Sequence, residues 1–91
     1  YEPVWSIGTG KIPCQAEIKE MHKIIKEIVF SKSKKNVKVL YGGSVNKHNI
    51  QEILSVNNVD GVLVGGASLK IKDLLAIYGS AVKHLEKNYN I

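Results

Sequence analysis

Three apolar runs, each broken by glycine and each followed by an amphipathic stretch, set the strongest constraint on how this 91-residue chain folds. Tyr1 to Trp5 reads as the end of a buried strand leading into the loop Ile7-Gly8-Thr9-Gly10. Val37 to Tyr41 reads as a short strand stopped by Gly42-Gly43, and Val62-Leu63-Val64, after a turn at Asp60-Gly61, as another stopped by Gly65-Gly66. Between them, Ile18, Met21, Ile24, Ile25, Ile28 and Val29 recur at spacings of three and four, which predicts a helix from Gln15 to Phe30. Lys19, Lys23, Lys26 and Glu27 take its opposite side. Ile50, Ile53 and Leu54 mark a short second helix. A third is predicted from Ile71 to His84, with Leu74, Leu75, Ile77, Tyr78 and Val82 as its apolar side, and the polar tail Glu86 to Ile91 is expected to fray.

The order is βαβαβα, which makes this an α/β chain. Strands separated by helices run parallel, and their crossovers are right-handed in nearly all proteins. The strands are apolar on both sides, so both faces of the sheet are expected to be covered. Three units leave two open edges with unpaired backbone groups, a poor stopping point for a monomer. The architecture asks for more strands.

Composition narrows the function classes. Hydrophobic content of 44% and charged content of 23% are ordinary for a globular protein and exclude a disordered tail. No apolar run approaches the ~20 residues of a membrane span, and the opening residues lack the basic-then-apolar pattern of a signal peptide. A first residue already inside a structured-looking segment points to missing upstream sequence. The net charge is +5 and every basic residue is Lys. Specific nucleic-acid readout favours Arg, and stacking platforms need more than a few scattered aromatics, so these lysines read as a solvated surface. The cluster Ser31 to Asn36 reads as a loop. Cys14, without a partner in the chain, excludes an internal disulfide and fits a reducing, cytoplasmic setting.

Chemistry is expected at the C-terminal ends of the strands, the ligand-binding side of parallel α/β sheets. Gly42-Gly43-Ser44 and Gly65-Gly66-Ala67-Ser68 are either tight strand-to-helix turns needing positive φ or nests of backbone N–H groups that hold phosphate. Glu2 is the one carboxylate at a strand end. Pro3 favours extended backbone before it, so Glu2 is either a surface ion-pair partner or a general base held in a fixed direction. The following Ile7-Gly8-Thr9-Gly10-Lys11 has an apolar tip with glycines between the stiff flanks Pro3-Val4-Trp5 and Ile12-Pro13, the pattern of a closing lid.

These residues resemble the triosephosphate isomerase family. Tyr1-Glu2-Pro3-Val4-Trp5-Ser6-Ile7-Gly8-Thr9-Gly10-Lys11 is similar to its catalytic strand and lid. Leu40-Tyr41-Gly42-Gly43-Ser44-Val45 is similar to its seventh strand and loop, and Asp60 to Lys70 to its eighth. The resemblance implies a parallel βαβαβα segment forming the C-terminal part, units six to eight, of a TIM (βα)8 barrel. It implies residues 1–14 as strand end and catalytic lid, and 42–45 and 65–68 as phosphate-binding loops. Carried over by position, Glu2 is the base. The N–H groups of Gly8, Ser44, Gly65 and Gly66 hold the substrate phosphate. Pro3, Val4, Trp5, Ser6, Ile7, Thr9, Gly10 and Lys11 belong to the lid, latched by the Tyr41 and Ser44 hydroxyls. The reaction implied interconverts dihydroxyacetone phosphate and glyceraldehyde 3-phosphate through an enediol(ate), in glycolysis and gluconeogenesis, with no metal or organic cofactor. The implied partners are a small phosphorylated triose, the remainder of the barrel chain and a second copy in a homodimer; nucleic acid and membrane are not among them.

Two departures from the family pattern matter. Ser6 stands where Ala is usual, a small change expected to be tolerated. Pro13 replaces the residue whose N–H would meet Tyr41, and proline has none. Tyr41 is therefore expected to latch elsewhere or weakly, leaving Ser44 with Gly10 as the principal contact. The family's electrophilic histidine and its lysine lie in earlier units, so the fragment alone is expected to be inactive. His22, His48 and His84, each on a predicted helix, read as structural or exposed. Two other readings stand beside this one: another phosphate-binding (βα)8-barrel enzyme, and a non-catalytic module of three βα units.

Overall fold

The computed structural model describes residues 1–89. Helix α1 spans Gln15–Ser33, strand β1 Leu40–Tyr41, helix α2 Ile50–Leu54, strand β2 Gly61–Val62 and helix α3 Ile71–Tyr89. Short 3-10 turns occupy Val4–Ser6 and Gly66–Leu69. β1 and β2 pair in parallel, with Leu40 opposite Gly61 and Tyr41 opposite Val62. Further bonds from Asp60 N–H to Val39 O (3.0 Å) and from Leu63 N–H to Tyr41 O (2.9 Å) carry the pairing one residue past each end.

The strand expected from Tyr1 to Trp5 survives only at its first residue. Tyr1 N donates to Leu40 O at 2.8 Å and Gly42 N–H to Tyr1 O at 2.7 Å, which brackets Tyr1 against Tyr41 as in a parallel ladder. β1 is therefore central. From Val4 the chain coils, because Ser6 N–H turns back to Pro3 O (2.8 Å). The turn expected at Asp60-Gly61 lies earlier: Asn58 has φ 75°, and Asp60 and Gly61 already belong to the pairing.

Both long helices outrun their predicted ends. α1 begins where Pro13 and the extended Cys14 place Cys14 O to accept from Glu17 (3.1 Å) and Ile18 (3.2 Å). It ends at Lys34, left-handed at φ 60°, whose N–H returns to Phe30 O at 2.8 Å. Ser31 to Ser33, expected in a loop, are thus helical, with Ser31 and Ser33 hydroxyls bonded to the carbonyls of Ile28 and Val29. α3 continues through Tyr89 rather than fraying from Glu86; Asn90 and Ile91 lie outside the described residues. Its buried stripe is narrower than predicted. Ile77 is the anchor, while Leu75 and Tyr78 are exposed.

The core is Ile18, Tyr41, Val45, Ile50, Ile53, Val56 and Ile77, on one side of the sheet. Among the described residues only this face of the sheet is covered. Leu40 (47% exposed) and Leu63 (52%) lie on the other side, and no described element packs over them. No helix among the described residues is long and apolar enough to cross a membrane.

Candidate active site

The C-terminal ends of the three paired segments meet at a cavity of about 330 Å³ lined by Glu2, Gly8, Gly10, Ser44, Gly65 and Gly66. Five of these were expected in a site on sequence grounds as base or phosphate ligands and one as lid. A larger cavity, about 400 Å³, lies among α2, β2 and α3. Its walls are mainly Leu54, Val59, Val62, Ala81 and Leu85, and the carboxylate beside it, Asp60, is already paired with Lys26 at 2.8 Å. Of these two, the smaller combines a carboxylate that forms no ion pair among the described residues with a row of glycine amides.

The paired glycines are not the positive-φ turns that one sequence reading expected. Neither Gly-Gly step has positive φ; Gly8 (φ 71°) and Gly10 (φ 78°) do. Gly42 and Gly43 are required by close approach instead. A Cβ on Gly42 would lie 2.6 Å from Glu2 Cγ, so the Glu2 side chain rests directly on the bare backbone. A Cβ on Gly43 would lie 2.7 Å from Ser6 Oγ and overlap the Tyr41 hydroxyl. At Gly65 and Gly66 nothing stands within 4 Å of such a Cβ, so that backbone faces open space on the cavity. The amides of Gly8 and Gly65 enter no hydrogen bond among the described residues. Glu2 itself is exposed on the uncovered side of the sheet.

The loop following Glu2 is exposed from Ile7 to Lys11 but tied by hydrogen bonds at several points. Gly10 N–H donates to Ser44 Oγ at 2.9 Å, and Ser44 Oγ in turn donates to Ser6 O. Thr9 Oγ1 reaches the carbonyls of Trp5 and Ser6 and accepts Lys11 N–H, each at 3.1 Å. Pro13 is buried, and the Tyr41 hydroxyl lies 3.2 Å from Ser6 Oγ. Ser6 is fully buried, and its Oγ also contacts Lys11 O and Ser44 N. The Ser44 N–H, expected to hold phosphate, is engaged by that Oγ at 3.1 Å.

Ser44 is positioned by a pair of residues the sequence reading passed over. Asn49 Nδ2 holds Ser44 O at 3.0 Å, and Asn49 Oδ1 accepts Asn46 N–H at 2.9 Å. Asn46 Oδ1 caps the N–H groups of His48 (2.8 Å) and Asn49 (3.0 Å). An Asn-x-x-Asn just before the apolar Ile50 was the signal, since Asn competes well for free N–H groups at helix starts.

The histidines stay away from the cavity. His48 is exposed on a turn rather than a helix, and His84 is half-buried on α3. His22 is buried on α1, edge-on to Tyr1 and stacked on Tyr41 at centroid distances of 5.8 and 6.4 Å. Its Nδ1 donates to Asn58 O (3.1 Å), leaving Nε2 buried without a partner among the described residues. Burial is the chief reason its pKa falls below the ordinary 6.5, with Lys26 nearby acting in the same direction and the Asn58 carbonyl opposing it. For Asp60, burial pushes the carboxyl up, but the bonds from Lys26 and from Val39 N–H (2.8 Å) outweigh it and hold it below its usual range.

A family model described as triosephosphate isomerase matches residues 1–81. The chain belongs to the triosephosphate isomerase family. Triosephosphate isomerase of Psychrobacter cryohalolentis is 53% identical over 79 residues, covering 85% of this chain and 29% of that protein. The Borreliella burgdorferi enzyme is 48% identical over 86 residues, covering 90% and 34%. The crystal structure of triosephosphate isomerase from Bartonella henselae superposes with a TM-score of 0.76 at 38% identity, covering 89% of this chain and 33% of that one. The chain thus spans about a third of the length of the triosephosphate isomerases it matches, and its parallel strands and helices are part of a (βα)8 barrel.

Proposed function

We propose that, joined to the remainder of its barrel, this segment supplies the base, the lid and the phosphate grip of a triosephosphate isomerase. The observation that carries the reading is one cavity bordered by the Glu2 carboxylate, the loop after it and the amide-lined turns at Gly8 and Gly65-Gly66. Units six to eight of the barrel would be residues 1–91, with residues 1–14 the strand end and lid, and 42–45 and 65–68 the phosphate loops.

In the proposed reaction Glu2 takes a proton from the carbon next to the carbonyl of dihydroxyacetone phosphate and returns it to the neighbouring carbon, an aldose–ketose isomerisation through an enediol(ate). The phosphate is remote from those carbons, so its binding to glycine amides can drive closure of the lid. Closure removes water, which strengthens the carboxylate as a base. Gly8, Gly65 and Gly66 offer amides without side chains in the way. Ser44 joins them once its N–H leaves Ser6 Oγ for a phosphate oxygen. A homodimer and a cytoplasmic setting belong to the same proposal.

The test is a coupled isomerase assay on the full-length protein, with Glu2→Gln beside it. Wild-type turnover is expected, with loss of several orders of magnitude in the variant. Equal turnover in the Gln variant removes Glu2 as the base, and an inactive full-length wild type removes the function.

A further inference from the structure

Ser6 is the most heavily engaged buried hydroxyl near the cavity. A serine hydroxyl has one proton to give and two lone pairs. Ser6 Oγ gives its proton to Lys11 O. It then accepts from Ser44 N–H at 3.1 Å. With its only proton spent, the contact to Tyr41 at 3.2 Å has the tyrosine as donor. All three positions are used by three different elements: the far end of its own loop, the turn after β1, and β1 itself. Among the described residues Ser6 is the one hydrogen-bond partner of the Tyr41 hydroxyl, and Pro13 on the other flank of the loop carries no N–H to offer it.

The space for this junction is built. Ser6 is 0% exposed, and the bare backbone of Gly43 leaves the room that the Ser6 and Tyr41 oxygens occupy. By contrast, residues 7–11 of the loop are exposed, and a Cβ added at the left-handed glycines 8 and 10 would meet nothing within 4 Å. The bond from Ser6 Oγ to Lys11 O draws the two ends of this exposed loop together.

We propose that the Ser6 hydroxyl is a positioning residue that latches loop 6–11 shut through Lys11 and Tyr41. The inference rests on the isomerase reading above and adds a device that sets how long the intermediate stays enclosed. Its chemistry defines the readout. In an open site the enediolate oxygen re-forms a carbonyl, its carbon–carbon double bond shifts, and the carbon–oxygen bond to phosphate breaks. Inorganic phosphate leaves with that electron pair, and the remaining enol tautomerises to a three-carbon 2-oxoaldehyde. No oxidant is needed.

The experiment uses the full-length protein and compares wild type, Ser6→Ala, Tyr41→Phe and the double variant for kcat, KM, thermal midpoint and inorganic phosphate released per isomerised triose. Ser6→Ala is expected to lower kcat about ten-fold with little change in KM, since the lost bonds are worth roughly that factor. Phosphate released per turnover rises by a similar factor. Tyr41→Phe gives a smaller change in the same two quantities. The two losses do not add in the double variant, because the contact that Tyr41→Phe removes is already lost in Ser6→Ala. A merely structural serine would lower the thermal midpoint and leave the phosphate fraction alone. That result, or losses that add, overturns the latch. If Ser6→Ala does not fold, Tyr41→Phe decides, and an unchanged phosphate fraction there overturns the proposal as well. Failure of the underlying reading looks different: the wild type itself does not isomerise, or Glu2→Gln does.

Discussion

Replacing Gly42 by alanine tests whether the Glu2 carboxylate is held in place by the absence of a side chain beneath it. The added Cβ would stand 2.6 Å from Glu2 Cγ and 3.5 Å from Leu63 Cδ2. Ordinary contact begins at 3.4 Å, so Glu2 Cγ has to retreat by about 0.8 Å while Leu63 need not move. A misplacement of about 1 Å at a reacting group costs up to about 100-fold in rate, equivalent to about 2.7 kcal/mol of transition-state stabilisation. The backbone does not resist the substitution, because φ at Gly42 is not left-handed, and Glu2 is exposed and able to swing away. The expected outcome in the full-length protein is therefore specific: kcat falls by one to two orders of magnitude, on the order of that 100-fold limit, KM stays near wild type, and the thermal midpoint moves by only a few degrees. Steady-state kinetics in a coupled assay, with a thermal melt on the same preparation, measures all three. A folded Gly42→Ala enzyme with wild-type kcat would refute the idea that this glycine sets the direction of Glu2.

Three further outcomes follow from the same coordinates. Gly79→Ala, within α3 where the new Cβ meets nothing within 4 Å, should stabilise the protein by about 0.5–1 kcal/mol through helix propensity, read as a higher midpoint in chemical denaturation. Stability should decline as pH falls below 6.5, because His22 binds fewer protons folded than unfolded in that window; it should decline again below the ordinary carboxylate range as Asp60 protonates. Thermal midpoints across pH check this, and a His22→Phe variant should lose the first of the two declines. Ser44→Ala, which removes bonds to both Gly10 and Ser6, should slow turnover more than Tyr41→Phe, which removes one; equal losses in kcat would contradict that ranking.

Periodicity and punctuation made the element order legible. Spacings of three and four located α1 and α3, and paired glycines located the strand ends, since both are properties of neighbouring residues. The C-termini of the helices were misplaced because Lys34 in the left-handed region, and not a glycine, ends α1. The three motifs around Glu2, Tyr41 and Asp60 also named the family, which the comparisons bear out. What the sequence read as interchangeable, the folded chain separates. Gly42 and Gly43 make room for two side chains, while Gly65 and Gly66 face an open cavity.

The amino-acid order by itself determined a parallel α/β segment through local pattern, and its resemblance to the triosephosphate isomerase family implied Glu2, Gly8, Gly10, Ser44, Gly65 and Gly66, which border one cavity. Only the tertiary structure decided what Ser6 does. Its partners Tyr41 and Ser44 lie 35 and 38 residues away, and a hydroxyl's hydrogen bonds depend on which groups the fold brings within about 3 Å of it, a distance that no reading along the chain supplies.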